Sequence, residues 1–541
     1  MAEPDASIDP SFFDLIVVGT GLPESIIAAA ASASGKSVLH LDHHSFYGAH
    51  FSSLPLRDLF PFLHYTPPPP PPTEHATDYL ALRLKPRSLY SHIEEHRLVS
   101  DDVLGASRDF YLDLSGPRVL FCADSAVDLM LKSGASHHIE FKSVEATLMY
   151  SAAEKKLVSV PDSRSAIFKD RSLSLTEKNQ LMRFFKLVQD HCQTTDGDDS
   201  VSGRRISDED LESPFVEFLN KHRLPPSIKS IILYAIAMAD YDQDTAVLPK
   251  NVIKTKRGIE SLSLYHSSVG RFANAQGALI YPIYGQGELP QAFCRCAAVK
   301  GALYVLRMPV TDVLVEKESN LYKGVKLKSG QEIFSHRLVM GPTFTLQSPS
   351  VLSSISELQK ESSESIGLVG DKVQVARGDE ASLILTWCLS PALHPEQISA
   401  VRALQLSSNV HVCPSGLFVL YLSIICEDAS RGKESLHAAM KTLLTHPPER
   451  DENTLTKQNE GTEEKTKPTL LWSTMYIQEL TEIEGNKELP QDSLEAISPC
   501  PMPDGSLDYR NILESAMKLF HEVCPGDDIF PEREAVEDPD L

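Results

Sequence analysis

The chain has 541 residues, and domains of about 100–200 residues make two or three compact units the expectation. Its 51 Lys and Arg stand against 74 Asp and Glu, a net charge of −23. That charge argues against a nucleic-acid binder, because phosphate neutralisation needs clustered cations. Hydrophobic residues make up 42% of the chain, which excludes a wholly disordered protein.

The cysteines and the chain start indicate a cytosolic protein. The nine cysteines are odd in number and scattered, without the paired spacing of a zinc site. The acidic, polar start lacks the basic and apolar regions of a secretory signal. The longest apolar run, residues 417–426, is about half of the roughly 18 residues that span a membrane. We therefore expect a reducing, cytosolic setting.

The N-terminal segment predicts a strand–helix–strand unit. Phe12 to Val18 is almost entirely apolar, as in a strand buried on both faces. Gly19-Thr20-Gly21 ends this strand, and the alanine-rich stretch from Glu24 to Ser34 favours a helix. Ser37 to Leu41 then reads as a second strand that ends at Asp42.

The next part of the chain combines a proline run with helical patterns. Pro67 to Pro72 must be extended, and we interpret it as part of a surface insertion at about residues 65–104. The run is either a passive loop or a ligand for an SH3- or WW-type domain. From about 120 to 240 the pattern is helical, with a capping box at Ser174 and Glu177. Residues 228–239 form a helix that is apolar on nearly all sides, hence buried or lining an apolar cavity.

The second half predicts further strands and one late helix. Residues 278–306 have strand and turn character, and residues 447–467 have the composition of a disordered segment. A final helix is expected near 511–523, before an acidic tail. Strand-like runs are found at 303–306, 382–389, 417–426 and 469–477.

Gly19, Gly21 and Asp42 form an incomplete dinucleotide-binding fingerprint. In a complete one, glycines let backbone N–H groups reach a pyrophosphate, and the acidic residue accepts hydrogen bonds from a ribose. Here Glu24 replaces the third glycine and places a negative charge in the first helical turn. The stretch from Tyr47 to His50 also lacks the arginine of a Gly-Gly-Arg element. The fingerprint therefore predicts the fold and argues against a bound cofactor.

Other catalytic and metal-binding patterns are missing from the sequence. It contains no GxSxG elbow, no HExxH pair and no P-loop. His43-His44 and His137-His138 are adjacent pairs, whose side chains diverge on a strand and are poorly placed for one metal on a helix. We interpret both pairs as surface histidines and predict neither a metal site nor catalytic residues.

Two sequence blocks carry a family resemblance. The first is DLIVVGTGLPESIIAAAASASGKSVLHLDHHSFYGAHFSSL, and the second is YPIYGQGELPQAFCRCAAVKGALYVL. Together they resemble the signature blocks of Rab GDP-dissociation inhibitors and Rab escort proteins. The chain resembles the escort proteins, also called component A of Rab geranylgeranyltransferase, in its length, in the insertion after the first block, in Gln286 and in its C-terminal extension.

The resemblance implies an α/β fold with two domains. The large domain is expected to be like FAD-dependent oxidoreductases, with a Rossmann-type βαβ unit but no cofactor, and the smaller domain is mainly α-helical. We assign the large domain to 1–115 and 246–446 and the helical lipid- and transferase-binding domain to 116–245. Residues 447–467 are the predicted linker, and 468–541 the C-terminal part that packs on the large domain.

The resemblance also implies a Rab-binding platform. Three residues match its motif positions: Tyr47, Glu288 and Arg295. The turn at Gly285 and Gly287 can place the acid and the base on one exposed surface, where opposite charges give register and specificity. The alternative is a structural ion pair between Glu288 and Arg295. Arg271 stands near a further basic position, but its spacing to the second block is shifted by one.

The implied function is that of a non-catalytic escort. Its partners would be GDP-bound Rab GTPases before and after prenylation, the geranylgeranyltransferase heterodimer, a geranylgeranyl lipid and, transiently, a membrane. A recycling Rab GDP-dissociation inhibitor and an FAD-dependent oxidoreductase are the rival interpretations. The helical segment is either a plain core or a lipid pocket, and the candidate pocket residues are Leu181, Phe185, Val188, Ile232, Ile236 and Met238.

Overall fold

The computed structural model describes most of the chain from residue 7 to residue 531. The described residues are 7–65, 79–99, 109–151, 156–160, 174–193, 205–244, 251–319, 321–347, 367–369, 373–377, 384–391, 397–444, 468–480 and 495–531. The proline run 67–72, the linker 447–467 and the tail from 532 lie outside these residues, so the predictions for them stay predictions.

Strands contribute to both halves of the described chain. In chain order they are β1 (Phe12–Val18), β2 (Val38–Leu41), β3 (Ser53–Pro55), β4 (Tyr79–Pro86), β5 (Tyr90–Arg97), β6 (Tyr111–Asp113), β7 (Leu120–Phe121), β8 (Phe141–Ser143), β9 (Ala146–Ser151), β10 (Lys156–Ser159), β11 (Leu279–Pro282), β12 (Leu303–Val305), β13 (Val310–Glu316), β14 (Tyr322–Leu327), β15 (Glu332–Met340), β16 (Phe344–Gln347), β17 (Gly367–Val369), β18 (Val373–Arg377), β19 (Leu385–Leu389), β20 (Val401–Ser407), β21 (Phe418–Cys426), β22 (Thr469–Glu479) and β23 (Ile497–Pro499).

Helices cover the remaining regular structure of the described residues. They are α1 (Leu22–Ala33), α2 (Leu56–Leu63), α3 (Ser125–Ser133), α4 (Leu175–Gln193), α5 (Asp208–Glu212), α6 (Phe215–Lys221), α7 (Pro226–Ser230), a π-helix (Ile231–Ile236), α8 (Thr255–Ser268), α9 (Glu288–Val299), α10 (Ala429–Leu443) and α11 (Arg510–Val523), with short 3₁₀ turns at Ala49–Phe51, Ala135–His138 and Ser408–Val410.

The first sheet contains the predicted strand–helix–strand unit. Its order is β12-β2-β1-β15-β14-β13-β4-β16, with β23 paired to β15. Strand β1 runs parallel to β2 and β15, and β2 runs parallel to β12, which is the arrangement of a nucleotide-binding half-sheet. Helix α1 crosses from β1 to β2 and packs against α9 and α11. The Rossmann-type unit is therefore confirmed.

The second sheet has mainly antiparallel pairings. Its order is β10-β9-β19-β20-β21-β17-β22-β18, and β5 pairs with β22. Helix α10 packs on it, with Leu436 and Met440 in one core with Phe418 and Leu420. The helices between residues 175 and 268 form a separate core, which reaches the sheet at Cys388 and Ala400.

The capping box that begins α4 is confirmed. The Glu177 carboxylate accepts a hydrogen bond from Ser174 N at 2.8 Å, and Ser174 Oγ accepts one from Glu177 N at 3.3 Å.

The apolar helix predicted at 228–239 differs in its hydrogen bonding, because the π-helix replaces its centre. Its C-terminal end is held by buried Arg402, which donates to the carbonyl oxygens of Tyr234 and, at 2.6 Å, Ala239.

Three predictions about local structure are wrong. Residues 79–97 are not an insertion, because Tyr79–Pro86 lies within the first sheet and Tyr90–Arg97 pairs with β22. The helical pattern from 120 to 240 is interrupted by strands β8 to β10. The strand-and-turn character of 278–306 is broken by α9, which buries Leu289, Phe293 and Cys296 at helical spacing.

Candidate functional site

The glycine-rich turn between β1 and α1 adopts the expected geometry. Gly19 has a φ of +103°, a conformation that favours glycine, and its N–H donates to Leu41 O at 2.8 Å. A Cβ on Gly19 would approach Gly341 Cα to 3.5 Å. The turn therefore lies in van der Waals contact with the end of β15.

Asp42 directs its carboxylate into the protein. One oxygen accepts hydrogen bonds from Thr20 N at 2.9 Å and Thr20 Oγ1 at 2.6 Å. The other accepts from His44 N at 2.8 Å and lies 3.0 Å from His44 Nδ1. Burial opposes ionisation, but hydrogen bonds from His44 and Thr20 outweigh it and lower the pKa of Asp42. Both oxygens that a ribose would need are engaged within the chain.

Glu24 fills the space where the third fingerprint glycine would allow close packing. Its side chain is 1% exposed, and its carboxylate contacts the positions that Cβ atoms on Gly21 and Gly341 would occupy. Burial raises the pKa of Glu24 to about 7, and Oε2 has no hydrogen-bond partner within the described residues. Buried His50 stands where a pyrophosphate-binding cation is expected. These residues do not fit an FAD pyrophosphate.

The buried Glu24 carboxyl predicts a specific pH dependence of stability. Its pKa rises from 4.5 to about 7 on folding, so the folded state holds this proton more tightly than the unfolded chain. The contribution of Glu24 to the free energy of unfolding is therefore fully present below about pH 4.5 and is lost as the pH rises through 7. Between pH 5 and pH 8 the loss is about 2–3 kcal/mol. We expect Glu24→Gln to remove that part of the pH dependence in denaturant unfolding.

Exposed Glu260 supplies the control for this prediction. Glu260→Gln should retain the wild-type slope of unfolding free energy against pH. A Glu24→Gln protein with that same slope would contradict the buried-carboxyl account.

The three predicted platform residues lie together. Glu288 begins α9, and Arg295 follows seven residues, or two turns, later on the same face. Arg295 is exposed, whereas Glu288 and Tyr47 are half-buried. Burial raises the pKa of Glu288 and of Tyr47, and the nearby Arg295 charge partly opposes both shifts. The Tyr47 ring packs edge-on against Tyr304 at 6.1 Å.

Within the described residues, Glu288 and Arg295 form no ion pair with each other. Glu288 Oε1 instead accepts a hydrogen bond from Gln291 Nε2 at 3.3 Å. The arrangement leaves an acid, a base and an aromatic ring on one surface, as a charged partner would require. Arg271 is different, because it is held by Cys122 O at 2.8 Å and by Asp128 at 2.6 Å.

Asp113 joins the two sequence blocks, and sequence reasoning missed it. Ser53 Oγ from the first block donates to Asp113 Oδ1 at 2.6 Å. From the second block, Gln286 N donates to the same oxygen at 3.0 Å, and the Tyr281 hydroxyl donates to Oδ2. Asp113 is 1% exposed. A lone acid between Leu112 and Leu114 on an apolar strand was the signal that could have revealed it.

The glycines of the second block allow this junction. Gly285 has a φ of +102°, and a Cβ there would lie 2.7 Å from Asp113 Oδ1. A Cβ on Gly287 would lie 2.7 Å from Ser53 N. Both positions require glycine so that the turn before α9 can approach Ser53 and Asp113.

Five of the six candidate lipid-pocket residues belong to one hydrophobic core. Phe185 packs on its edge, and the buried members of that set are Leu181, Val188, Ile232 and Ile236. Met238 is the exception, because it packs against the core that contains Tyr421 and Trp472. Met238 therefore packs against a different core from the other five.

His43 and His44 are not surface histidines. Their rings lie 3.7 Å apart, centroid to centroid, and their side chains are 10% and 14% exposed. Both rings turn toward Asp42 because the chain leaves the end of β2 instead of continuing as a strand. The expectation that adjacent histidine side chains diverge here was wrong; His137 is exposed as predicted and His138 is intermediate.

Comparison with known protein families identifies the family of this chain. The family model described as GDP dissociation inhibitor matches residues 9–92 and 76–476. The chain belongs to the GDP dissociation inhibitor family. The resemblance drawn from the two blocks is thereby confirmed.

Curated relatives of this GDP dissociation inhibitor family member match along nearly the whole chain. Rab escort protein 1 of Arabidopsis thaliana is 49% identical over 555 residues, covering 98% of this chain and 95% of that protein. Rab proteins geranylgeranyltransferase component A 1 of Rattus norvegicus is 25% identical over 641 residues, covering 96% and 92%.

Solved structures support the fold of this family member. Rab GDI from Plasmodium falciparum superposes with a TM-score of 0.67 at 17% identity, covering 95% of this chain and 98% of that one. An oxidoreductase from Methanosarcina mazei gives 0.52 at 12% identity, covering 94% and 100%. The α/β, FAD-dependent-oxidoreductase-like fold class is confirmed. In the part of the chain that the structure describes, no helix has the length and apolarity to cross a bilayer.

Proposed function

We propose that this protein is a Rab escort protein. It binds newly made GDP-bound Rab GTPases, presents their C-terminal cysteines to the Rab geranylgeranyltransferase heterodimer, and delivers the prenylated product to membranes. The observation that carries this proposal is the 49% identity to Rab escort protein 1 across 98% of the chain. The domain division 1–115, 116–245, 246–446 and 468–541 belongs to the same proposal; within it, the helical core begins at Leu175 and extends past residue 245 to Ser268.

The platform supports the Rab-binding step. Tyr47 offers an apolar face with a polar tip, and Glu288 and Arg295 offer opposite charges on the adjacent face of α9. Because Asp113 fixes the turn before α9 to the segment after Tyr47, the backbone that carries the three side chains needs little ordering on binding.

The helical core supports the lipid-binding step. Its apolar side chains surround the π-helix, whose hydrogen bonding differs from that of an α-helix and is frequent at functional sites. Each buried CH₂ of a prenyl chain contributes about 0.8 kcal/mol, so a C20 chain gains on the order of 10 kcal/mol before ordering costs. We propose that this core opens to take the lipid, with Met238 outside the pocket.

The role is that of a non-catalytic accessory subunit, in the cytosol with transient membrane contact. Metal and isoprenyl-diphosphate chemistry then belong to the transferase. The name component A, carried by the rat relative, supports this division of labour.

Reconstituted prenylation tests the proposal. Unprenylated Rab·GDP, purified transferase heterodimer and labelled geranylgeranyl diphosphate are mixed with and without the full chain. We expect transfer of label to Rab only when the chain is present, and a ternary complex of chain, Rab and transferase on gel filtration.

Two outcomes would contradict the escort role. Extraction of prenylated Rab from membranes without support of transfer would identify a recycling GDP-dissociation inhibitor. Stoichiometric flavin absorbance in the purified protein would favour the oxidoreductase interpretation and overturn the argument from Glu24 and Asp42.

A further inference from the structure

A cluster of three potential metal ligands lies at the end of β2. Asp42, His43 and His44 each direct one ligand atom into the cluster, and these atoms all lie within 4.8 Å of one another. The side chains are 1%, 10% and 14% exposed. Hydrogen bonding within the fold explains the placement of Asp42 and His44, because His44 Nδ1 lies 3.0 Å from Asp42 Oδ1.

That role does not account for His43. Its Nδ1 is buried and has no hydrogen-bond partner in the described part of the structure. The same nitrogen points into the cluster, 3.5 Å from Asp42 Oδ1. A buried, unpaired imidazole nitrogen is costly unless it binds something.

The distances from Asp42 Oδ1 to the two histidine nitrogens suit a tetrahedral ion. With Zn–N and Zn–O bonds of about 2.0–2.1 Å, two ligands of a tetrahedral zinc lie about 3.3 Å apart. The two separations from Asp42 Oδ1, 3.5 Å to His43 Nδ1 and 3.0 Å to His44 Nδ1, bracket that value. We propose that Asp42 Oδ1, His43 Nδ1 and His44 Nδ1 bind one Zn²⁺ ion.

The surroundings supply the support that a metal site needs. The second oxygen of Asp42 is fixed by Thr20 N and Thr20 Oγ1, which orients the carboxylate. Aromatic rings enclose the two imidazoles: Phe344 lies 5.5 Å from His43, and Phe62 lies 5.3 Å from His44. When the ion binds, the His44 proton moves from Nδ1 to Nε2, and water completes the coordination.

The ion has a structural consequence for the neighbouring segment. Thr20 Oγ1, which donates to Asp42, also accepts a hydrogen bond from Gly48 N at 3.0 Å. Zn²⁺ at Asp42 and the two histidines would therefore hold one end of the segment 42–48, which contains Tyr47 and whose other end Thr20 already holds. The site itself is independent of the proposed escort function.

Calorimetric titration of Zn²⁺ into the full, untagged chain tests the site. We expect one equivalent to bind, and His43→Gln and His44→Gln each to weaken binding by at least about 10-fold. The double variant His137→Gln/His138→Gln removes the other adjacent histidine pair and should bind Zn²⁺ like the wild type. Circular dichroism of the metal-free variants establishes that they are folded.

A second measurement needs no variant. Co²⁺ in the wild-type protein should give the intense visible bands of a tetrahedral site with nitrogen and oxygen ligands. Absence of a stoichiometric ion would overturn the proposal, and so would weak octahedral bands or thiolate charge-transfer bands. Equal affinity in the folded His43→Gln protein would also overturn it.

Discussion

Arg295→Glu is expected to weaken capture of GDP-bound Rab by about 30-fold or more. The side chain is exposed on the same face of α9 as Glu288. Loss of a central charged contact typically costs at least 2 kcal/mol, and a like charge facing the partner adds repulsion. With Tyr47→Ala and Glu288→Ala added, capture should fall below detection in a fluorescence titration with labelled Rab·GDP.

Arg257→Glu is the matched control for the platform. Arg257 is also exposed but lies on α8, in the helical region. It should bind Rab·GDP with wild-type affinity. Unchanged capture by the folded triple variant would show that the partner binds elsewhere and would remove the platform from the proposed function.

Asp113→Ala should lower the free energy of unfolding by about 3–5 kcal/mol. The substitution leaves two buried donors, Tyr281 OH and Gln286 N–H, and the part-buried Ser53 Oγ without this acceptor, at about 1–3 kcal/mol for each buried donor. Since these donors join the two sequence blocks, Rab capture should also weaken. Denaturant unfolding followed by circular dichroism measures the first effect, and the Rab titration measures the second.

Two further variants should lose less stability than Asp113→Ala. Asp113→Asn keeps one acceptor oxygen for Ser53 and Gln286, so its loss should be roughly half as large. Asp128→Ala breaks an exposed ion pair with Arg271 and should cost less than about 1 kcal/mol. An Asp113→Ala protein as stable as Asp128→Ala would rule out Asp113 as the junction of the two blocks.

Patterns with a single physical cause were predictable from the sequence. The apolar run Phe12 to Val18 allows little but a buried strand, and the Ser174–Glu177 spacing allows reciprocal capping. The family blocks placed Tyr47 beside Arg295, which are 248 positions apart. In each of these cases, local chemistry and the final structure agree.

Other features depend on partners that lie far away in the sequence. Tyr79–Pro86 was assigned to an insertion because it follows a proline run, yet it pairs with the strands at 310–316 and 344–347. The convergence of His43 and His44 on Asp42 depends on how the chain leaves β2, which no periodicity records. Asp113 needed the positions of Ser53 and Gln286 to show its role.

Residues 495–531 complete structures that the first quarter of the chain begins. Strand β23 joins β15 beside β1, α11 covers α1, and Arg118 donates to Asp508 O at 2.8 Å across 390 positions. During synthesis, the apolar face of Leu22–Ala33 is covered by α11 only after residues almost five hundred positions later have been made. Folding of this part therefore ends only after residues 495–531 have been made, and a variant truncated before Ile497 should leave that apolar face uncovered.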